Sequence, residues 1–200
     1  MTMNPLVSLA KNTVEKYIRE GKIISVPSDL PEEFLSRKAG TFVTIEKCAS
    51  SAHPPLRREC KLRGCIGTYL PTKENIAEEV IHNAIAAATE DYRFGPIQKE
   101  ELPYLSYTVY ILSEPELVKN LKELDPKKFG IIVKTKGFLP SSDVIFNPSP
   151  QPYQKTGLLL PDLEGVDTIE KQISIACQKG GIDPEREKIF IYKFTVEKYQ

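Results

Sequence analysis

Residues 62–68, which read LRGCIGT, are the part of this sequence best suited to chemistry. Cys65 offers a thiol, and Gly64 and Gly67 leave the backbone on either side of it without side chains. Arg63 adds a planar fork of donors that matches anionic groups. A thiol beside glycines is accessible, and a neighbouring cation favours its reactive thiolate form. Cys65 is therefore a candidate catalytic nucleophile or redox thiol, with Arg63 positioning an anionic substrate.

The same run also has a purely structural interpretation. Cysteine that forms no disulfide is among the most frequently buried residue types, so Cys65 could be a small core residue on a kinked strand. Glycines inside an apolar, β-branched run mark a β-bulge or a close approach of another backbone segment. Both interpretations of Cys65 stay open at the level of sequence.

Asp91 and Arg93 are the next candidates, because they follow the predicted helix 71–90 and end it abruptly. In an enzyme, either residue could complete a site at Cys65. Cysteine catalysis usually needs a base within hydrogen-bond reach of the thiol. The chain has two histidines, His53 in a predicted loop and His82 on the predicted helix, and neither is a convincing base.

A binding site is the alternative to catalysis. The LRGCIG strand and the turn at residues 91–94 would then form a recognition cleft for a protein, a peptide or a metabolite. Gly64 and Gly67 would permit close approach of that ligand. Arg93 would either anchor it or form a salt bridge with Asp91, and the salt bridge is the favoured outcome for that pair.

Three cysteines and a histidine fall close together in the sequence: Cys48, His53, Cys60 and Cys65. Zinc sites bring paired ligands two to four residues apart on tight turns, and these spacings do not fit that pattern. If the strands before Cys48 and after Cys60 pair as a hairpin, these two thiols face each other at its loop end. A disulfide there would be unusual in the cytosol of a mesophile and less so in a hyperthermophile.

Hydrophobic periodicity predicts the elements that must position these residues. Helical spacing is found at residues 5–20, 71–90 and 167–179. Strand patterns are found at residues 41–47, 61–68, 104–112, 129–135, 157–160 and 188–197. The order of strand, turn and helix places the N-terminus of helix 71–90 near the end of the Cys65 strand, where its N–H groups would favour an anion or a thiolate. The prolines at residues 140–156 predict a long loop.

Composition excludes several classes of function. Lys plus Arg and Asp plus Glu both total 27, so the net charge is zero and a nucleic-acid partner is not expected. No apolar run is long enough to span a membrane, and no signal-peptide segment is present, so a cytoplasmic protein is expected. No phosphate-binding glycine pattern occurs, and the sequence predicts no metal and no cofactor.

The LRGCIGT run resembles the signature of the AMMECR domain family. The resemblance continues through residues 83–88, Asp91 with Arg93 and Phe94, residues 101–103, residues 157–161 and residues 167–168. It implies a single domain over residues 1–200 with an α/β (α+β) fold, a largely antiparallel sheet flanked by helices, and two unequal lobes with a cleft between them. Tyr92 departs from the proline that is usual at its position, and the loop 140–156 is longer than family members need.

The resemblance implies no established reaction. In prokaryotes such domains look like one component of a gene trio with a Memo-type protein and a radical-SAM enzyme. This chain has no CxxxCxxC run, so the cluster chemistry of the radical-SAM enzyme is not its own. We therefore expect a binding or accessory component with a ligand cleft at Cys65, and Cys65→Ser should be mild while Arg63→Ala is severe. In the alternative, a cysteine-dependent enzyme, Cys65→Ser abolishes activity.

Overall fold

The computed structural model describes residues 3–49, 60–136 and 154–200. His53 and residues 140–153 of the predicted proline-rich loop lie outside these ranges. Internal contacts divide the chain into two compact units, Met1–Ser113 with Glu197–Gln200, and Glu114–Val196. The fold class predicted from the sequence is confirmed, because both units contain antiparallel strand pairs and helices.

Four α-helices are present in the described ranges: α1 Pro5–Glu20, α2 Glu32–Ser36, α3 Ile76–Thr89 and α4 Ile169–Gly180. Helix α1 begins where the Asn4 side chain accepts a hydrogen bond from the Leu6 N–H, and it ends at Gly21 in the left-handed conformation. At the N-termini of α3 and α4, the side chains of Asn75 and Thr168 likewise accept a hydrogen bond from a backbone N–H of the first turn. None of the helices in this part of the chain is long and apolar enough to cross a membrane.

The eight strands found in the described ranges form two four-stranded sheets. The first contains β1 Thr41–Cys48, β2 Cys60–Gly67, β3 Leu105–Leu112 and β8 Val196–Tyr199, in the order β2-β1-β3-β8. The second contains β4 Glu116–Leu117, β5 Gly130–Thr135, β6 Thr156–Leu159 and β7 Ile189–Phe194, in the order β4-β7-β5-β6. Strand β2 is therefore an edge strand of the first sheet.

Alternation along β1 and β3 creates the core of the first unit. Val43, Ile45, Val109 and Ile111 are completely buried in one cluster with the apolar faces of α1 and α3. The core of the second unit forms where α4 packs on β5 and β6. A Cβ at Gly157 would overlap the carbonyl oxygen of Ala176, so glycine is needed for this close contact of β6 and α4.

Two predicted boundaries are wrong. The C-terminal strand predicted at residues 188–197 is two strands, β7 and β8, which belong to different sheets. The helix predicted at residues 71–90 begins only at Ile76, because Thr72 and Lys73 donate their backbone N–H groups to the side chain of Glu79 instead of entering the helix.

Cys48 and Cys60 form a disulfide at the end of the β1–β2 hairpin, where they are paired across the two strands. The hairpin geometry considered from the sequence is thus confirmed. Because the two sulfur atoms are bonded to each other, neither cysteine can act as a thiolate ligand in a zinc site with His53 and Cys65.

Reduction of this disulfide should destabilise the first unit. The bond joins residues 12 apart, and closing a loop of that length stabilises a fold by about 3 kcal/mol through the unfolded chain. Urea unfolding followed by circular dichroism, with and without dithiothreitol, measures the change. The Cys48→Ser/Cys60→Ser double variant is the control, since its stability must not respond to the reductant. An equal response of both proteins would contradict the assignment.

Candidate functional site

The edge strand β2 contains a β-bulge at Arg63. Ile45 of β1 pairs with Gly64, whereas the next residue, Glu46, pairs with Leu62, so Arg63 is the extra residue on β2. A bulge bends the strand and redirects a side chain. The Arg63 side chain consequently leaves the regular alternation of β2.

The guanidinium of Arg63 binds groups of its own chain. Its Nε and Nη2 atoms donate to the two carboxylate oxygens of Glu101 at 3.0 Å each, and Nη1 donates to the carbonyl oxygen of Gly95 at 2.9 Å. Lys47 also donates to Glu101, at 3.0 Å. These contacts, above all those from Arg63, outweigh the effect of burial and lower the pKa of Glu101 to about 2. Arg63 therefore links β2 to residues 95 and 101.

The two glycines of the motif are both sites of close approach. A Cβ at Gly64 would overlap the carbonyl oxygen of Ala87 in α3, and a Cβ at Gly67 would overlap the ring of Phe42 and the carbonyl oxygen of Thr41. The close approach predicted from the sequence is confirmed, and the approaching groups are the protein's own. A role for Gly64 and Gly67 in contacting a ligand stays a prediction.

Asp91 joins the end of α3 to the outer edge of β2. Its side chain is 4% exposed and accepts a hydrogen bond from the backbone N–H of Cys65 at 2.9 Å. Arg93 donates to both carboxylate oxygens, at 2.9 and 2.7 Å, which confirms the salt bridge favoured from the sequence. The Arg93 hydrogen bonds are the main reason why the pKa of Asp91 falls to about 2, against the opposing effect of burial.

Residues 91–95, called here the Tyr92 turn, are held at this edge by hydrogen bonds and ring contacts. The Phe94 N–H donates to the Asp91 carbonyl oxygen at 2.9 Å. The guanidinium carbons of Arg93 and Arg63 lie 5.4 and 6.0 Å from the centre of the Phe94 ring, within the range of cation–π contacts. In contrast, Tyr92 is 95% exposed. The turn thus presents a nearly fully exposed aromatic side chain on a fixed backbone.

Cys65 is half-buried and lies on the face of the first sheet opposite to α3. Gly64 faces α3, so the next residue along the strand faces away from it. The Cys65 sulfur is 3.2 Å from the hydroxyl oxygen of Thr44, its partner on β1. Arg93 is close enough to interact electrostatically with the thiol. Cys65 therefore fits neither interpretation from the sequence fully. It lies outside the core, unlike a small core residue, and it is only partly accessible, unlike an open reactive thiol.

The first turn of α3 lies at the end of β2 as predicted, and the anion found there is the side chain of Glu79, which belongs to that turn, and not the Cys65 thiolate. Its hydrogen-bond donors come from residues before the helix and not from the helix N–H groups. Burial opposes ionisation of this fully buried carboxylate, yet its hydrogen bonds give it a lowered pKa. Thr68 Oγ1 donates to it at 2.7 Å, and Thr72 donates through both its N–H and its hydroxyl. Glu79 falls within the predicted helix 71–90 and is not among the residues that the sequence singles out. The threonines before Asn75 are the signal that could have indicated this cluster.

Comparisons with known proteins extend over almost the entire chain. The family model described as AMMECR1 matches residues 7–199. A protein of Thermotoga maritima is 46% identical over 98% of both chains. A protein of Clostridium acetobutylicum is 39% identical over 98% of this chain, which spans only 36% of that longer relative. The crystal structure of the uncharacterized protein PH0010 from Pyrococcus horikoshii has a TM-score of 0.77 and 30% identity, covering 96% of this chain and 88% of that one.

Acid should weaken the fold through Asp91 and Glu101. Both have a folded-state pKa of about 2, below the ordinary values of 3.8 and 4.5, so their stabilisation is complete above about pH 5 and is lost as the pH falls towards 2. These shifts correspond to about 2 kcal/mol for Asp91 and about 3 kcal/mol for Glu101. Urea unfolding between pH 6 and pH 3 measures the loss.

Asp91→Asn and Glu101→Gln should each start from lower stability at pH 6 and lose less on acidification than the wild type. Glu100→Gln alters an exposed carboxylate in the same 3₁₀ turn, Lys99–Tyr104, and serves as the matched control. If all four proteins have the same pH dependence, these two carboxylates are not the source of acid sensitivity.

Proposed function

Since this chain belongs to the AMMECR1 family, we propose that it is a binding and accessory module whose protein partner docks on the Tyr92 turn and the neighbouring edge strand β2. The partners we propose are the Memo-type protein and the radical-SAM enzyme that accompany such domains by family association. The chain itself supplies recognition, and the chemistry belongs to a partner.

The exposure of Tyr92 on a hydrogen-bonded turn is the observation that carries this proposal. A tyrosine that is 95% exposed contributes nothing to the protein's own core. Tyrosine and arginine are the residue types that most often dominate the affinity of protein interfaces. The salt bridge of Asp91 with Arg93 and the contacts of Phe94 order the backbone before binding, which reduces the entropy lost on association.

Side chains next to the turn supply further contact surface. Arg93 is 42% exposed although it is paired with Asp91. Leu62, which precedes the bulge on β2, is also exposed. An exposed leucine, an arginine and a tyrosine beside a sheet edge have the composition of an interface core with a polar margin.

The electrostatics of the site favour binding over catalysis. Asp91 is the carboxylate held against the Cys65 backbone, and with a pKa of about 2 it is a weak general base at neutral pH. Arg63 has three donor atoms committed to Glu101 and Gly95, which leaves little of its fork for an anionic substrate. His82 is exposed on α3, and its Nδ1 atom lies 3.4 Å from the Oδ1 atom of Asn83.

Replacement of Tyr92 should weaken the complex without affecting the fold. We expect Tyr92→Ala to raise the Kd for the Memo-type or radical-SAM protein of the same organism by roughly tenfold or more, because a buried interface tyrosine typically contributes over 1 kcal/mol. Isothermal titration calorimetry measures the affinity. Leu121→Ala, which shortens an exposed apolar side chain of the second unit, is the control and should bind like the wild type. A complex unaffected by Tyr92→Ala would refute this surface, and no complex with either protein would refute the partners.

The second candidate function is a cysteine-dependent enzyme that uses Cys65. It is favoured by one observation, the nearness of the Arg93 guanidinium to the thiol, because cations accompany reactive cysteines. In that case the native protein should be alkylated at Cys65 much faster than at Cys177, which is buried in the second unit. Rates measured by mass spectrometry between pH 6 and pH 9 test this. Modification of Cys65 only after unfolding would leave the binding module as the sole candidate.

A further inference from the structure

A second candidate site lies on the other side of α3, away from β2. A groove of about 560 Å³ runs between α1, α3 and the segment 22–26 that follows Gly21. Its walls are mainly apolar and include Tyr17, Ile23, Ile24, Val26, Ile81 and Ile85. This volume lies in the range of protein sites that enclose ligand side chains. We call it the Ile23 groove.

Segment 22–26 lies beside this groove, and exposed and half-buried residues alternate from Ile23 to Val26, as they do along an extended chain. Ile24 and Val26 pack against the core of the first unit, whereas Ile23, on the opposite face of the segment, is 66% exposed. None of these five residues makes a backbone hydrogen bond to another part of the described chain. Segment 22–26, which belongs to neither sheet, thus places N–H and C=O groups without a backbone partner in the described chain next to an apolar surface.

Charged residues stand at opposite ends of the groove. Lys73 precedes the N-terminus of α3 and Glu90 follows its C-terminus, and both line the groove. Glu78 and His82, which lie between them along the chain on α3, also line the groove. A chain bound along α3 would meet a positive group at one end and a negative group at the other.

We propose that the Ile23 groove binds an extended peptide segment of another protein by strand addition to residues 22–26. The peptide's backbone pairs with the unpaired groups of the segment, and every second side chain enters the groove. Its apolar residues contact Ile23, Ile81 and Ile85. An acidic residue at one end of the peptide lies near Lys73 and a basic residue at the other end lies near Glu90.

Selection of a phage-displayed library of random nine-residue peptides on the full-length protein tests this proposal. The recovered peptides should alternate apolar and polar residues and carry charges of opposite sign at their two ends. As synthetic peptides they should protect the amides of residues 22–26 from hydrogen exchange. Failure to recover any peptide, or peptides that leave these amides unprotected, overturns the proposal.

Two controls separate strand addition from other modes of binding. Ile23→Asp, at a largely exposed position, should weaken binding at least tenfold, whereas Leu117→Asp on the second unit should not change it. The second control is a peptide methylated at alternate backbone nitrogens, which should not bind. If it binds as tightly as the unmethylated peptide, the groove contacts only the peptide's side chains, and this result overturns strand addition. A dimer in light scattering that Ile23→Asp dissociates would assign the segment to a second copy of the chain and equally overturn the proposal.

Discussion

The hydrogen bond from the Cys65 backbone to the Asp91 carboxylate is the contact on which the site depends. An edge strand exposes a row of unpaired backbone groups, and this bond satisfies one of them with a side chain instead of another strand. The same carboxylate holds Arg93, so one nearly buried group fixes the strand edge and the shape of the Tyr92 turn together. Its ionisation is stabilised by these contacts, and both features therefore depend on a single charge.

Asp91 is one of three carboxylates that hold the LRGCIGT run. Glu101 binds Arg63 at the bulge, Asp91 binds the backbone at Cys65, and Glu79 binds Thr68 just beyond the end of the strand. All three have lowered pKa values because hydrogen-bond donors surround them. The run whose residue types are best suited to chemistry is thus also held in place by these three carboxylates, with glycines where neighbouring backbone and side chains approach.

Local patterns in the sequence predicted the features that depend on neighbouring residues. The glycines of β2 indicated a bulge or a close approach, and alternation indicated the hairpin that brings Cys48 to Cys60. The partners of Arg63 and Cys65 could not be predicted, because Glu101 and Asp91 are 38 and 26 residues away and any of several carboxylates would have suited the same sequence pattern. The division of the last strand was missed because apolar residues continue through residues 189–196 without a glycine or proline to mark the change of sheet.

The disulfide also changes what a break in the chain would mean. Cys48 and Cys60 bracket residues 49–59, so both strands of the hairpin stay covalently joined whether or not that segment is intact. A single proteolytic nick within it converts the protein into a two-chain molecule whose fragments separate only in the presence of a reductant. A break between these two cysteines therefore leaves the polypeptide one covalent molecule, whereas a break before Cys48 or after Cys60 does not.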